Sequence, residues 1–167
     1  MDAGVLLARM VIGLLFAAHG AQKLFGWFGG YGLAGTGSFF ESLGFRPGRV
    51  FAAAAGFTEL TGGLLLALGL LGPLGPAMII AVMIVAMATV HWQHGLFAQN
   101  NGIELPLVFS VAAAAIALIG NGALSLDAVL GLNWSNSVVL AALGLGVVGG
   151  FANLALRKTA PTEAHVA

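Results

Sequence analysis

Five stretches of this chain are apolar for long enough to cross a bilayer: 5–24, 50–71, 74–92, 105–120 and 138–156. A hydrocarbon layer about 30 Å thick takes about 20 helical residues to span. Inside it no water pairs with backbone N–H and C=O groups, so a spanning segment must be a helix or part of a closed barrel. Barrel strands would show segments of about 10 residues in strict alternation, and these runs are longer and apolar throughout. The chain is therefore expected to be an all-α, polytopic membrane helix bundle.

Composition agrees with that class and removes others. Charged residues make up 7% of the chain and hydrophobic ones 59%, with a mean hydropathy of +1.01, whereas a soluble domain carries about 25% charge. Six basic side chains balance six acidic ones, which leaves no basic surface for nucleic acid. Cysteine is absent, so the chain can form no disulfide, thiol relay or cysteine-held iron–sulfur cluster. The first run lacks a positive leader and holds Arg9 within it, so it reads as a retained helix and not as a signal peptide. Trp27, Trp92 and Trp134 lie at the ends of runs, where indole rings favour the headgroup layer.

The flanking cations give an orientation. Arg46 and Arg49 precede the second run and Arg157 and Lys158 close the last, while segments 72–75 and 121–137 hold no Lys or Arg. Positive charge collects on the cytoplasmic side, so five spans imply an N-terminus outside and a C-terminus in the cytoplasm. A bacterial inner membrane is the expected location.

Polar side chains inside the runs point to a site. A charge at the centre of a membrane helix costs roughly 2.5 to 3.5 kcal/mol, so such groups face protein, water or ligand. Arg9, Phe16, His19 and Lys23 fall within about 80° of one another around the first helix. With the orientation above, His19 and Lys23 reach the cytoplasmic side together with His91, His94 and Glu104, and Glu59 sits about 5 Å deeper. Ala52, Ala55, Gly56, Gly62 and Gly63 share the face of Glu59, a small-residue surface suited to close helix packing, so Glu59 is expected to point into the bundle. Arg9 lies toward the outer side.

Each group has two readings. His19 is a hydrogen-bond donor or proton relay, since its pKa lies near neutrality, or else a structural partner of Glu59. Lys23 binds an anionic substrate or snorkels to the headgroups. Glu59 carries protons or forms an ion pair with Arg9 or Lys23. A metal held by His91 and His94 with His19 or Glu104 is disfavoured without a Glu-x-x-His pattern on two helices. A haem between His19 and His91 is disfavoured as well. Glu41 and Asp127 read as caps or solvated charges. The connection 26–48 suggests a short interfacial helix, capped by Thr36 or Ser38 and ended by Gly44. Its Phe39, Phe40, Leu43 and Phe45 either cover the polar cluster or lie on the headgroups. Ala142, Gly146 and Gly150 form a stripe suited to packing or to homo-oligomer contact.

Taken in order, Arg9, Gly13, Phe16, His19-Gly20 and Lys23, then Phe39-Phe40-Glu41-Ser42-Leu43-Gly44, then Glu59 with Gly62-Gly63 and Gly69, His91 with Gly95-Leu96-Phe97, Glu104, and Ser125-Leu126-Asp127 resemble the DoxX family of bacterial membrane proteins. The resemblance runs from about Leu6 to about Leu130. It implies a four-helix core over 1–136, to which this chain adds a transmembrane helix at 137–157 and a polar cytoplasmic tail at 158–167. It also implies an oxidoreductase component, with thiosulfate oxidation by quinone and the handling of oxidative and thiol stress among the family's roles. Any thiol would have to come from a partner. The expectation for this chain is a subunit of a membrane oxidoreductase that engages quinone or a small sulfur compound, with a redox protein as partner. His19, Glu59 and His91 would act on protons, and Arg9, Lys23, His94 and Glu104 would bind substrate. A proton-coupled transporter and a non-catalytic scaffold are the alternatives.

Overall fold

In the computed structural model, which describes residues 2–158, the chain is built of helices, and no strand occurs among the described residues. The order is α1 (Asp2–Phe25), α2 (Gly32–Ser42), α3 (Gly48–Leu68), α4 (Leu74–Ala86), α5 (Glu104–Ile119), α6 (Leu126–Leu130) and α7 (Asn136–Ala155). Helix α4 continues as a π-helical turn over Met87–His91 and a 3-10 turn over Trp92–His94. Four of these segments, α1, α3, α4 with its extension and α7, have the length and apolarity to cross a membrane. The run expected at 105–120 is α5, an apolar helix of the same 16 residues' length, about 24 Å of helix, which leaves it shorter than the other four. The tail expected at 158–167 lies outside the described residues from Thr159 onward.

Helices α1 and α3 run antiparallel with their backbones in contact. A Cβ at Gly13 would fall 2.6 Å from the Gly63 carbonyl oxygen, and one at Gly20 would fall 2.6 Å from that of Gly56. Only glycine permits this approach, and in lipid such packing takes over from the hydrophobic effect as the cohesive force between helices. Gly69, at φ 63°, closes α3 in the left-handed conformation, which ends it before the residue-71 boundary suggested by hydropathy. Helix α4 turns back beside α3, with Gly75 against Gly62 and Leu66. Phe16, Leu66, Ile79, Met83, Ala113 and Ile116 form the core among α1, α3, α4 and α5. Leu7, Leu14, Val108, Leu118, Leu145 and Val148 stay exposed on the outside, as suits helices that meet acyl chains.

The small residues of the last helix and the caps expected near α2 take the following places. Gly146 and Gly150 pack onto the backbone of α4 at Ala77 and Ala81. Of the two readings of the stripe on the last helix, packing is the one these contacts describe. Helix α2 starts at Gly32, and Thr36 is buried in its middle and caps nothing. Glu41 does cap: its Oε1 accepts the Gly48 N–H at the start of α3.

Candidate functional site

A cavity of about 410 Å³ opens among α2, α3, the α4 extension and α7, at the end of the bundle where α1 finishes. Its wall is mainly hydrocarbon and aromatic: Phe39 and Phe40 come from α2, Leu43 and Phe45 from the loop that follows, and Phe51 from α3. Phe40, Phe45 and Phe51 follow one another in a row of tilted rings, with centroids 5.8 Å and 5.2 Å apart. Of the two readings of the connection 26–48, the covering one describes this arrangement. These side chains roof the polar groups below them.

Lys23 and Glu59 occupy the inner wall. Lys23 Nζ lies 2.8 Å from Glu59 Oε1 and 2.6 Å from Oε2. Glu59 is 2% exposed, and its Oε2 accepts no well-directed hydrogen bond. Glu59 points inward because Gly56 and Gly63 bring α3 against α1, one turn of small residues on either side of the carboxylate. Lys23 therefore does not snorkel. Glu59 has Lys23, not Arg9 or His19, as its partner.

His91 lies on the same cavity wall, delivered by the π-helical turn. Such turns displace the side chains after them from the α-helical register and recur at functional sites. Thr89 Oγ1 donates to the Val85 carbonyl within this stretch. His91 Nδ1 is 2.7 Å from the carbonyl oxygen of Asn101. A carbonyl only accepts, so Nδ1 carries the hydrogen and Nε2 of the neutral ring is left as an acceptor.

The other expected site residues go elsewhere. His19 is exposed, with Nδ1 3.1 Å from Gln22 Oε1 and its ring edge-on to Phe109, and it does not line the cavity. His94 is exposed beside Gln93. Glu104 Oε2 accepts the Ala98 N–H and so braces the loop before α5. The structure thus joins Lys23, Glu59 and His91 and separates them from His19, His94 and Glu104. Helix rotation accounts for this: depth along the axis was legible, whereas direction around it depends on neighbours. Among the described residues, no three His, Asp or Glu side chains converge to hold a metal ion.

Arg9 is at the opposite end of the bundle. It is fully buried against Gly69 and Ser125, and its Nη2 donates to the Leu124 carbonyl. Asp127, expected as a cap or solvated charge, is 3% exposed. It accepts four hydrogen bonds, all at 2.8 Å, from Leu71 N–H, Gly72 N–H, Asn121 Nδ2 and Trp134 Nε1. The cap of α6 is Ser125. Arg9 therefore belongs to a structural clamp around the α3–α4 turn.

Sequence reasoning missed Thr58, Thr89 and Asn153 of the cavity wall. For Asn153 a signal existed, since it is the one polar side chain in the run 138–156. Nothing in the sequence announced the π-helical turn.

No curated protein and no solved structure matches the chain. The DoxX family matches residues 4–92, which is more than half of the chain and covers α1 to the π-helical turn that carries His91. The expected resemblance reached further, to about Leu130, and the matched part holds Lys23, Glu59 and His91. This integral membrane protein belongs to the DoxX family.

Proposed function

We propose that the chain is the quinone-binding subunit of a bacterial inner-membrane oxidoreductase, and that the cavity beneath Phe39, Phe40 and Phe45 receives the quinone ring. One observation carries this reading: the single ammonium and the single carboxylate on the wall neutralise each other, and the rest is mostly apolar and aromatic. A small sulfur anion would find no unspent positive charge there. A neutral, flat, lipid-soluble molecule with carbonyl groups suits such a wall, as pockets of this size combine an apolar lining with a few placed polar groups.

The polar groups match both forms of the couple. Lys23 N–H donates to a quinone carbonyl, and Glu59 Oε2 and His91 Nε2 accept from quinol hydroxyls. Reduction adds two electrons and two protons to each quinone. Glu59 and His91 relay the protons. With no cysteine of its own, the chain takes its electrons from a partner protein or a second substrate. The cavity end faces the cytoplasm in this proposal, because five of the six Lys and Arg side chains (Lys23, Arg46, Arg49, Arg157 and Lys158) gather at it.

The test is titration of detergent-purified protein with a short-tail quinone, together with organic extraction of any quinone carried through purification. His91→Ala is expected to weaken binding about tenfold, the cost of a lost hydrogen bond in a dry site, and His19→Ala to leave it unchanged. If the wild-type protein neither carries nor binds quinone, or if His91→Ala binds as wild type does, the reading fails.

A further inference from the structure

Helix α7 lies beyond the residues matched by the family, yet it completes the cavity: Gly149 and Asn153 line it. The chain after α7 also holds the roof in place. Arg157 Nε donates to the Leu43 carbonyl, and the Lys158 N–H donates to that of Gly44 at 2.9 Å. Leu43 is itself a wall residue, so α7 supplies both a side of the cavity and the fastening of its cover.

Asn153 is the informative residue. It is half-buried, it is the only polar side chain in its apolar run, and its amide engages no group of the protein among the described hydrogen bonds, although its backbone carbonyl caps the end of α7. It lines a cavity whose wall is mostly hydrocarbon and aromatic, and an amide in such surroundings costs free energy where nothing pairs with it. Its carbonyl accepts and its NH2 donates, a combination suited to a ligand that presents a carbonyl in one state and a hydroxyl in another. No charge is added by it. We infer that Asn153 is a ligand-recognition residue, contributed by the last helix, that hydrogen-bonds the neutral polar head of the molecule in this cavity. The inference rests on the cavity being a ligand site and assigns recognition to an element outside the family's matched core.

The experiment compares full-length wild type, Asn153→Leu and Asn153→Gln in detergent micelles, using three probes: a short-tail quinone, a long-chain fatty alcohol and a hydrocarbon of similar size. Leucine shares the branching of asparagine at Cγ, though it is bulkier, and suits a membrane helix; unchanged thermal stability verifies that folding is preserved. Asn153→Leu is expected to weaken both headed probes about tenfold and leave the hydrocarbon unchanged, with partial rescue by Asn153→Gln. Equal affinities of wild type and Asn153→Leu for every headed probe overturn the inference while the quinone reading stands. If wild type binds the alcohol but no quinone and Asn153→Leu loses the alcohol, the quinone reading falls and the role of Asn153 holds. A uniform loss for all three probes, hydrocarbon included, makes Asn153 structural and overturns the inference.

Discussion

At the scale of single residues, the energetics turn on two buried carboxylates with opposite kinds of partner. Glu59 faces one ammonium, and removal of either member strands the other in a low-dielectric wall. Breaking a buried pair costs about 3–5 kcal/mol, and the figure here is smaller, about 1–3 kcal/mol, because the Lys23 side chain is 25% exposed. Glu59→Leu and Lys23→Met are each expected to lower the thermal midpoint in detergent, and the double variant to recover most of the loss. Additive losses would show that the two groups do not act as a pair. Asp127 instead meets four neutral donors. Asp127→Ala leaves two backbone and two side-chain N–H groups unpaired, at about 3 kcal/mol or more. Quinone binding at the far end should persist at temperatures below the new midpoint, and its loss there would mean that the two ends are coupled. The sequence showed Asp127 next to the start of a helix, where a cap is the local expectation. Two of its four partners, the Leu71 and Gly72 N–H groups, are 56 and 55 positions away, and no local pattern encodes them.

At the scale of elements, the crossing of α1 and α3 determines where Lys23 meets Glu59. Gly13 and Gly20 on one helix and Gly56 and Gly63 on the other each recur after seven residues, about two helical turns, so one face of each helix is bare backbone. The small-residue face of α3 was legible for that reason, as was the inward direction of Glu59. Gly20→Val is expected to force the helices apart, lower the midpoint by several degrees and abolish quinone binding, because the Lys23–Glu59 contact lies one turn away. Gly144→Ala on α7 has open space around it and should be neutral or slightly stabilising, since alanine is the better helix former. A destabilised Gly144→Ala would indicate that this side of α7 is packed against another chain. The stripe on α7 was equally visible in the sequence, but whether a small-residue stripe meets its own chain or a second copy depends on the whole bundle, and here Gly146 and Gly150 meet α4.

At the scale of the molecule, charge is segregated between the two ends. Five of the six basic side chains sit at the cavity end, and the sixth, Arg9, is buried in the clamp at the other. In a chain without cysteine, a single Cys at Ser137 is expected to react with an impermeant thiol reagent added to intact cells, and one at Lys158 only after permeabilisation. The reverse pattern would invert the orientation.

Hydropathy and charge are local quantities, so the sequence by itself determined the all-helical class, the apolar runs, the depth of each polar side chain and the asymmetry of charge. Which polar groups share a site was a decision of the tertiary structure. His19 and Lys23 are four residues apart and nearly aligned on α1, yet one is exposed and the other is paired with Glu59. The make-up of the site depends on where the glycine contacts set α1 against α3, on a roof brought over by α2, and on the π-helical turn that carries His91. Each of these is a contact or register change between distant parts of the chain, settled only when the helices pack.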